Sequence, residues 1–480
     1  MENTPKTDFE LNLEPATIVI FGITGDLSQR RLLPALYHLL RTNLLHEKTR
    51  ILGVTRRQDL KPHHLLDKAK LCVLEEDGVC SEEIFEKLKS KLEVYSMDAS
   101  KPDDYSKLKK YLDDIERETG LCLSRVFYLA VPPAVSAPII HHLGENKLNH
   151  GCQKHDAKAR LLLEKPFGFD TKTAKALVEE TTEFFDESQI FRIDHYLAKE
   201  TVQNIVTFRF RNPIFEDIWD KDHVQSIAIE ADESLGIEGR ADFYEQTGAL
   251  RDLIQSHLLH VMSVVMMDKP QTLESADDMH QTRLKLLKSI EIVPAKKLGS
   301  RVLRGQYRSY KEETHNDETH VETFAALKLF SKSKRWRGVP IFIKTGKALA
   351  KKQTIITIHF KPPKNDHDHT NRLIFSIQPN EGITIDLWVK KPGFEKKLET
   401  AEMKFSYKQT FDEEGHPDAY ERVLVDAIRG DNMLFATSDE VMVAWRIIEP
   451  VIRAWAENGD GLKIYDSGSE GPDMSVLRGE

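Results

Sequence analysis

Two segments of the chain concentrate side chains able to take a proton and to hold an anion. RIDHYLAKE (Arg192 to Glu200) packs basic groups, a phenol and two carboxylates into one short stretch. Its local spacing predicts a helix, on which His195 and Lys199, four residues apart, share a face and could clamp one phosphate. Asp194 would point elsewhere on that helix and so be free to serve a histidine distant in sequence. TGALRDLIQSHLLH (Thr247 to His260) offers one, with Asp252 and His257 set among apolar residues at helical spacing. Oxidising an alcohol needs a base to take the hydroxyl proton as hydride leaves carbon, and imidazole titrates near neutral pH. An aspartate accepting from the other ring nitrogen would fix the tautomer and stabilise the imidazolium. The plainer reading is a solvated helix face and a core histidine.

A second chemistry is suggested nearer the start, where GITGDLSQRR (Gly22 to Arg31) joins a predicted strand, Thr17 to Gly22, to a predicted helix running from Leu27 to about Arg41. Gly22 permits a tight turn, Gly25 lets the backbone approach a pyrophosphate, and the helix start presents N–H groups at its positive dipole end. The spacing is GxxG followed by Asp26, not the usual GxGxxG. A second strand, Arg50 to Val54, leads into Thr55-Arg56-Arg57 with no acid before Asp59. Enzymes that hold the ribose of NAD usually place an acid there, whereas a guanidinium suits the 2′-phosphate of NADP. The pattern favours NADP and leaves NAD open as an alternative.

Further strand patterns at Val94 to Met97, Arg125 to Ala130 and Leu161 to Leu163 alternate with charged helical segments. They predict an α/β Rossmann-type, doubly wound N-terminal domain over residues 14–195. From 196 to 480 the texture changes to longer alternating strands, such as Gln225 to Glu230, Thr354 to Phe360 and Leu373 to Ile377. Helices follow at Tyr420 to Arg429 and Ser438 to Trp455. That pattern predicts an α+β domain built on a large, mainly antiparallel sheet.

With 480 residues the chain can bury a large core and should divide into roughly two or three domains, and its net charge of −9 argues against nucleic-acid or membrane-surface binding. No apolar run is long enough to span a bilayer, and the first residues lack a secretory signal pattern. The four cysteines, Cys72, Cys80, Cys122 and Cys152, form no CxxC pair and read as free thiols of a cytoplasmic protein. No metal-ligand spacing is present, although His63-His64 and His141-His142 occur, so no metal is expected.

Taken together the motifs resemble the glucose-6-phosphate dehydrogenase family. The resemblance rests on GITGDLSQRR, FYLAVPP (Phe127 to Pro133), EKPFG (Glu164 to Gly168), RIDHYLAKE and ESLGIEGRADFYEQTGALRDLIQSHLL (Glu233 to Leu259). It continues through WRGVPIFIKTGKAL (Trp336 to Leu349), QPNEGI (Gln378 to Ile383), DAYERVLVDAIRGD (Asp418 to Asp431) and GSEGP (Gly468 to Pro472), in family order. It implies oxidation of glucose 6-phosphate at C1 with hydride transfer to NADP, His257 as base and Asp194 as its orienter. It implies phosphate contacts from His195, Tyr196, Lys199, Lys347 and Lys352, sugar-hydroxyl contacts from Glu233 and Asp252, Gln378 at the sugar or phosphate region, and Lys165 between sugar and cofactor. Gly22, Thr24, Gly25, Asp26, Leu27, Arg56 and Arg57 would hold the cofactor, and the C-terminal sheet would make a homodimer or dimer of dimers. This sequence departs from the family pattern at Arg30-Arg31, Ser256, His260, Lys344 and Gln353. The last of these argues against a second, structural NADP site.

Overall fold

The computed structural model describes residues 13–151, 159–366, 368–411, 417–457 and 461–479. These residues form two compact units. One comprises the described residues of 1–165, 176–193 and 417–435, and the other those of 166–175, 194–416 and 436–480.

The first unit is built on six strands, β1 (Ala16–Phe21), β2 (Arg50–Thr55), β3 (Leu92–Ser96), β4 (Ser124–Leu129), β5 (Ala159–Leu163) and β6 (Ile190–Arg192). They pair in the order β3-β2-β1-β4-β5-β6, and every pairing is parallel. β1 and β4 are buried along their whole length. A strand covered by helices on both faces is apolar throughout, which is why ATIVIF reads as a continuous run with no alternation. The order reverses between β1 and β4, so their carboxyl ends form the switch point at which doubly wound sheets bind ligands. The helix expected from Leu27 begins instead as a π-helical turn, Ser28–Leu32, before the α-helix Leu33–Arg41. Pro34 has no N–H to close an ordinary turn, and the wider turn accommodates it.

The helix Ala419–Arg429 belongs to this first unit although it lies far along the chain. Arg160 Nη1 donates to the Ile428 carbonyl at 2.7 Å, and His38 Nδ1 lies 2.9 Å from Glu421 Oε1. Neither contact has a local sequence signal.

The second unit carries nine strands. They are β7 (Val224–Asp232), β8 (Val302–Tyr307), β9 (Phe324–Leu329), β10 (Ile341–Gly346), β11 (Gln353–Phe360), β12 (Arg372–Gln378), β13 (Gly382–Lys390), β14 (Leu398–Ser406) and β15 (Leu462–Tyr465). Their order is β14-β13-β12-β11-β7-β10-β9-β8-β15. The sheet is mixed but mostly antiparallel, with β10 parallel to β7 and β15 parallel to β8. Burial alternates along β12, as expected for a sheet with one covered face.

The helix Leu259–Met266 is buried on all sides. Its last carbonyls, which an isolated helix leaves without partners, are answered by side chains. Trp219 Nε1 donates to Val265 O at 2.8 Å and Trp336 Nε1 to Met266 O at 2.7 Å. Arg209 reaches Val264 O at 3.0 Å and Met267 O at 2.8 Å. Complete burial pushes the Arg209 guanidinium down to about 9. Among the described residues no helix is long and apolar enough to cross a membrane.

The cysteines correct one expectation. Cys72 and Cys80 are in no disulfide, but Cys122 is in one, and Cys152 lies outside the described residues. Which thiols meet is decided by backbone approach, and sequence spacing carries no measure of that.

Asp426, on the helix Ala419–Arg429, supplies a pH test of the first unit. Burial pushes its carboxyl up to about 6 from 3.8, against the opposing pull of Arg422 at 3.0 Å. A folded-state value above the unfolded one means that the stabilising contribution is complete below the unfolded value and is lost as pH rises through about 6. Asp426→Asn is therefore expected to be more stable than wild type at pH 7.5, by at most about 3 kcal/mol, and to unfold at higher temperature. The difference should vanish toward pH 4, measured by thermal unfolding across that range.

Candidate active site

In the first unit Gly22 follows β1 with φ +84°, and a Cβ there would lie 2.3 Å from the Ala130 carbonyl oxygen. Only glycine lets the loop pass so close to the end of β4. The turn is closed by Gly25 N–H donating to Gly22 O at 2.9 Å and Ser28 Oγ donating to the same oxygen at 3.0 Å. Gln29 Nε2 donates to Thr24 O at 3.3 Å. Asp26 is exposed, 2.5 Å from Lys68 Nζ and 3.0 Å from Arg30 Nε, and its bond from Lys68 holds its carboxyl below the usual range. Leu27 precedes the π-helical turn. Arg56 and Arg57 are exposed just beyond β2, where the Arg57 N–H donates to Thr55 Oγ1 at 3.2 Å. Lys165 closes the first segment of this unit, two residues after β5.

In the second unit RIDHYLAKE is not a helix. Residues 195–198 form a turn, and the helix Glu200–Arg211 starts only after Lys199, its N-cap. The reason is Asp194, whose Oδ1 accepts the Tyr196 N–H at 2.9 Å and the Leu197 N–H at 3.4 Å. A short acidic side chain that bonds its own downstream backbone diverts the chain into a turn. The shared helix face expected for His195 and Lys199 is therefore replaced by a turn and a cap.

The same oxygen of Asp194 lies 2.7 Å from His257 Nδ1, both side chains being almost fully buried. Burial alone would favour a protonated Asp194, but the charge and hydrogen bond of His257 outweigh it and hold the carboxyl below its usual value. The Tyr196 ring lies against the His257 ring at 4.8 Å. Burial raises the Tyr196 phenol to about 12, with Glu233, Asp194 and Asp252 adding to the effect. The Tyr196 hydroxyl is 3.5 Å from Thr354 Oγ1, which accepts from Gln378 Nε2 at 3.2 Å. Lys347 is buried, with Nζ 2.5 Å from Glu233 Oε2 and 5.3 Å from the centre of the Tyr244 ring. Lys352 is exposed one residue before β11.

His257 is aimed by a helix of unusual pitch. Leu250–Leu258 is π-helical and runs directly into the α-helix Leu259–Met266. Its start is fixed by Glu322, whose Oε1 accepts the Leu250 N–H at 3.0 Å and whose carbonyl accepts the Ala249 N–H at 2.9 Å. Gly248, at φ +61° and ψ 176°, makes the bend, and a Cβ there would meet Glu322 Oε1 at 2.4 Å.

Sequence reading missed Thr354, Tyr244 and Glu322. Tyr244 lies inside a quoted motif, but a tyrosine beneath a lysine has no local signature, and Glu322 matters only through a contact across 72 residues. Lys344 pairs with Glu230 at 3.2 Å and Asp232 at 3.1 Å, and Gln353 donates to Asp232 at 3.2 Å. Among the described residues one group has metal-ligand reach, His141, His142 and Glu145. Glu145 lies 3.3 Å and 3.6 Å from the two imidazoles, at the helical offsets of ordinary surface pairs.

A doubly wound nucleotide-binding sheet joined in one chain to a buried histidine–carboxylate pair defines a dinucleotide-dependent oxidoreductase. The model of the glucose-6-phosphate dehydrogenase NAD-binding domain matches residues 19–204, and that of the family's C-terminal domain matches 206–477. The glucose-6-phosphate 1-dehydrogenase of Borreliella burgdorferi is 39% identical over 479 residues, covering 95% of each chain. A solved glucose-6-phosphate dehydrogenase in complex with its substrate glucose 6-phosphate is 31% identical, with a TM-score of 0.89 over 98% of both chains. The glucose-6-phosphate 1-dehydrogenase of Mycobacterium avium superposes with a TM-score of 0.82 at 30% identity, covering 97% of this chain and 98% of that one. The chain belongs to the glucose-6-phosphate dehydrogenase family, whose N-terminal domain takes a nicotinamide cofactor.

Gly248→Ala tests the bend. The backbone there lies in a region open essentially to glycine alone, and forcing another residue into it costs about 1–3 kcal/mol. Thermal unfolding should show that loss, together with a reduced kcat as the helix carrying His257 shifts. A variant with wild-type stability and kcat would show that the bend does not position His257.

Proposed function

We propose that the enzyme oxidises glucose 6-phosphate at C1 to the 6-phospho-lactone, with NADP as the preferred acceptor, His257 as general base and Asp194 as its orienting partner. The observation that carries the reading is the buried 2.7 Å contact between Asp194 Oδ1 and His257 Nδ1. With Nδ1–H donated to the carboxylate, the neutral ring keeps its lone pair on Nε2, the atom that takes the C1 hydroxyl proton. The imidazolium so formed is stabilised by Asp194, which stays ionised.

The residues fit the cofactor. The glycine turn at Gly22 leaves no room for a side chain, and two exposed guanidiniums follow β2 in place of an acid. When bound, NADP supplies the nicotinamide carbon that accepts the hydride. Gly22, Thr24, Gly25, Asp26 and Leu27 hold its pyrophosphate end, and Arg56 and Arg57 bind the 2′-phosphate, a preference that NAD would not satisfy. Lys165 belongs to this reading as a group that meets both cofactor and sugar.

The sugar phosphate is assigned to His195, Tyr196, Lys199, Lys347 and Lys352, whose donors suit a dianion. Glu233, Asp252 and Gln378 accept from or donate to the sugar. The contact of Lys347 with Glu233 and the link from Tyr196 through Thr354 to Gln378 support placing these groups together. The domains are read as 14–195 for cofactor and 196–480 for substrate and assembly. Cytoplasmic residence and a homodimer or dimer of dimers complete the reading. Exposed Leu398 and Met403 on β14 support an assembly through that edge of the sheet.

The test is the near-ultraviolet absorbance of reduced nicotinamide, with glucose 6-phosphate or glucose, and NADP or NAD. Turnover with the phosphate alone is expected, and activity on glucose alone would overturn the substrate assignment. His257→Asn should lower kcat by about 10²–10⁴ with little change in KM, since a base acts mainly in the transition state. A variant that keeps its kcat would place the base elsewhere. Arg56→Ala should raise the KM for NADP far more than that for NAD, and equal losses would remove Arg56 from the 2′-phosphate.

A further inference from the structure

His257 and the Tyr196 and Leu197 N–H groups all meet the same oxygen of Asp194, Oδ1. Its Oδ2 is buried with no hydrogen-bond partner among the described residues. A carboxylate held on one side only is free to rock about its Cβ–Cγ bond, and a buried oxygen without a donor carries a desolvation cost. One helical turn after His257, where the π-helical segment gives way to the α-helix, stands His260. It is 2% exposed, and its Nδ1 is likewise buried without a partner among the described residues.

The surroundings of His260 are ionic. Asp194 and Glu440 both act on it to favour its proton, Arg283 opposes them, and burial outweighs the sum so that its proton affinity is lowered. Glu440 is itself fully committed. Its carboxylate accepts from Arg283 at 2.8 Å and 3.0 Å and from the Thr437 N–H and hydroxyl at 2.8 Å and 3.1 Å. The charges of His260 and His280 also act on it. Of these two carboxylates, only Asp194 retains a buried oxygen with no hydrogen-bond partner among the described residues. His260 follows by one turn the histidine whose ring is 2.7 Å from Asp194, and a neutral imidazole offers one N–H, the donor that this oxygen lacks.

We propose that His260 is a positioning residue for the base: its neutral ring presents an N–H to Asp194 Oδ2, holding the carboxylate in the plane that serves His257. The proposal rests on the assignment of His257 as base and Asp194 as its orienter. The two atoms are not hydrogen-bonded in the structure, so the contact forms by rotation of the His260 side chain, whose ring-nitrogen placement is an assignment that the hydrogen-bond network decides. His260 touches neither substrate nor cofactor in this scheme. It acts only through Asp194, so its removal alters kcat and the pH profile rather than saturation.

The experiment compares His260→Leu, which keeps volume and loses the donor, with His260→Gln, which restores an N–H on a side chain of similar reach. Kinetics are measured from pH 5 to 9 on the full-length enzyme. His260→Leu should lose kcat by roughly tenfold, short of the ~100-fold that a 1 Å misplacement can cost, with KM for glucose 6-phosphate within about twofold. The acid limb of its kcat profile should move to higher pH, because Asp194 then faces His257 alone. His260→Gln should recover most of kcat and the wild-type limb. Equal loss in both variants with an unmoved limb would mean that His260 only fills space, and a wild-type profile in His260→Leu would overturn the proposal outright. Should His260→Leu not fold, ring ¹⁵N resonances of the wild-type enzyme decide it: a neutral His260 with a hydrogen-bonded N–H that responds to Asp194→Asn supports the proposal, and one that does not overturns it. His257→Asn run in parallel separates the cases. An inactive His257→Asn beside an unaffected His260→Leu sinks this inference alone, whereas an active His257→Asn sinks the assignment on which it rests.

Discussion

A carboxylate buried beside an imidazole is the constraint to which the second unit is built. An ionised Asp194 in a closed interior is tolerable only because His257 and two backbone N–H groups answer it at short range. Each of those donors sets a demand on the fold. The backbone N–H groups turn the chain after β6 away from helix, so that Tyr196 lies against the His257 ring. The imidazole must arrive from a separate helix, whose position has to be fixed from both ends.

That fixing uses polar groups where an apolar core would leave the helix free to slide. At the entry Glu322 takes the first N–H groups across the bend at Gly248, and at the exit Trp219, Trp336 and Arg209 take the last carbonyls. Helix ends left unsatisfied in a closed interior would each cost stability, so these side chains combine a structural duty with a positional one. The π-helical pitch of Leu250–Leu258 sets the turn on which His257 emerges. A wider turn is often retained where function demands a side-chain direction that an α-helix would not give.

The first unit works on backbone geometry. Its six parallel strands bring β1 and β4 together at the reversal of order, and the loop at Gly22 passes within a side chain's width of Ala130. What it presents at that end is a tight turn and the start of a helix, with two exposed arginines after β2.

Sequence pattern alone located five of the six strands of the first sheet to within two residues, because parallel strands covered on both faces are written as apolar runs, and it missed the three-residue β6, too short to carry a pattern. It also marked Gly22, Asp194 and His257, since a tight turn and a buried histidine–carboxylate pair demand particular residue types. It erred on RIDHYLAKE, where helical spacing was real but a side-chain oxygen competed for the backbone, and on Cys122, where pairing depends on approach in space. Folding in space decided that the helix Ala419–Arg429 returns to the first unit, that Thr354 links Tyr196 to Gln378, and that buried His260 feels the charges of Asp194 and Glu440. Those facts are contacts between residues far apart in the chain, and a linear pattern encodes which faces are apolar but not which faces meet.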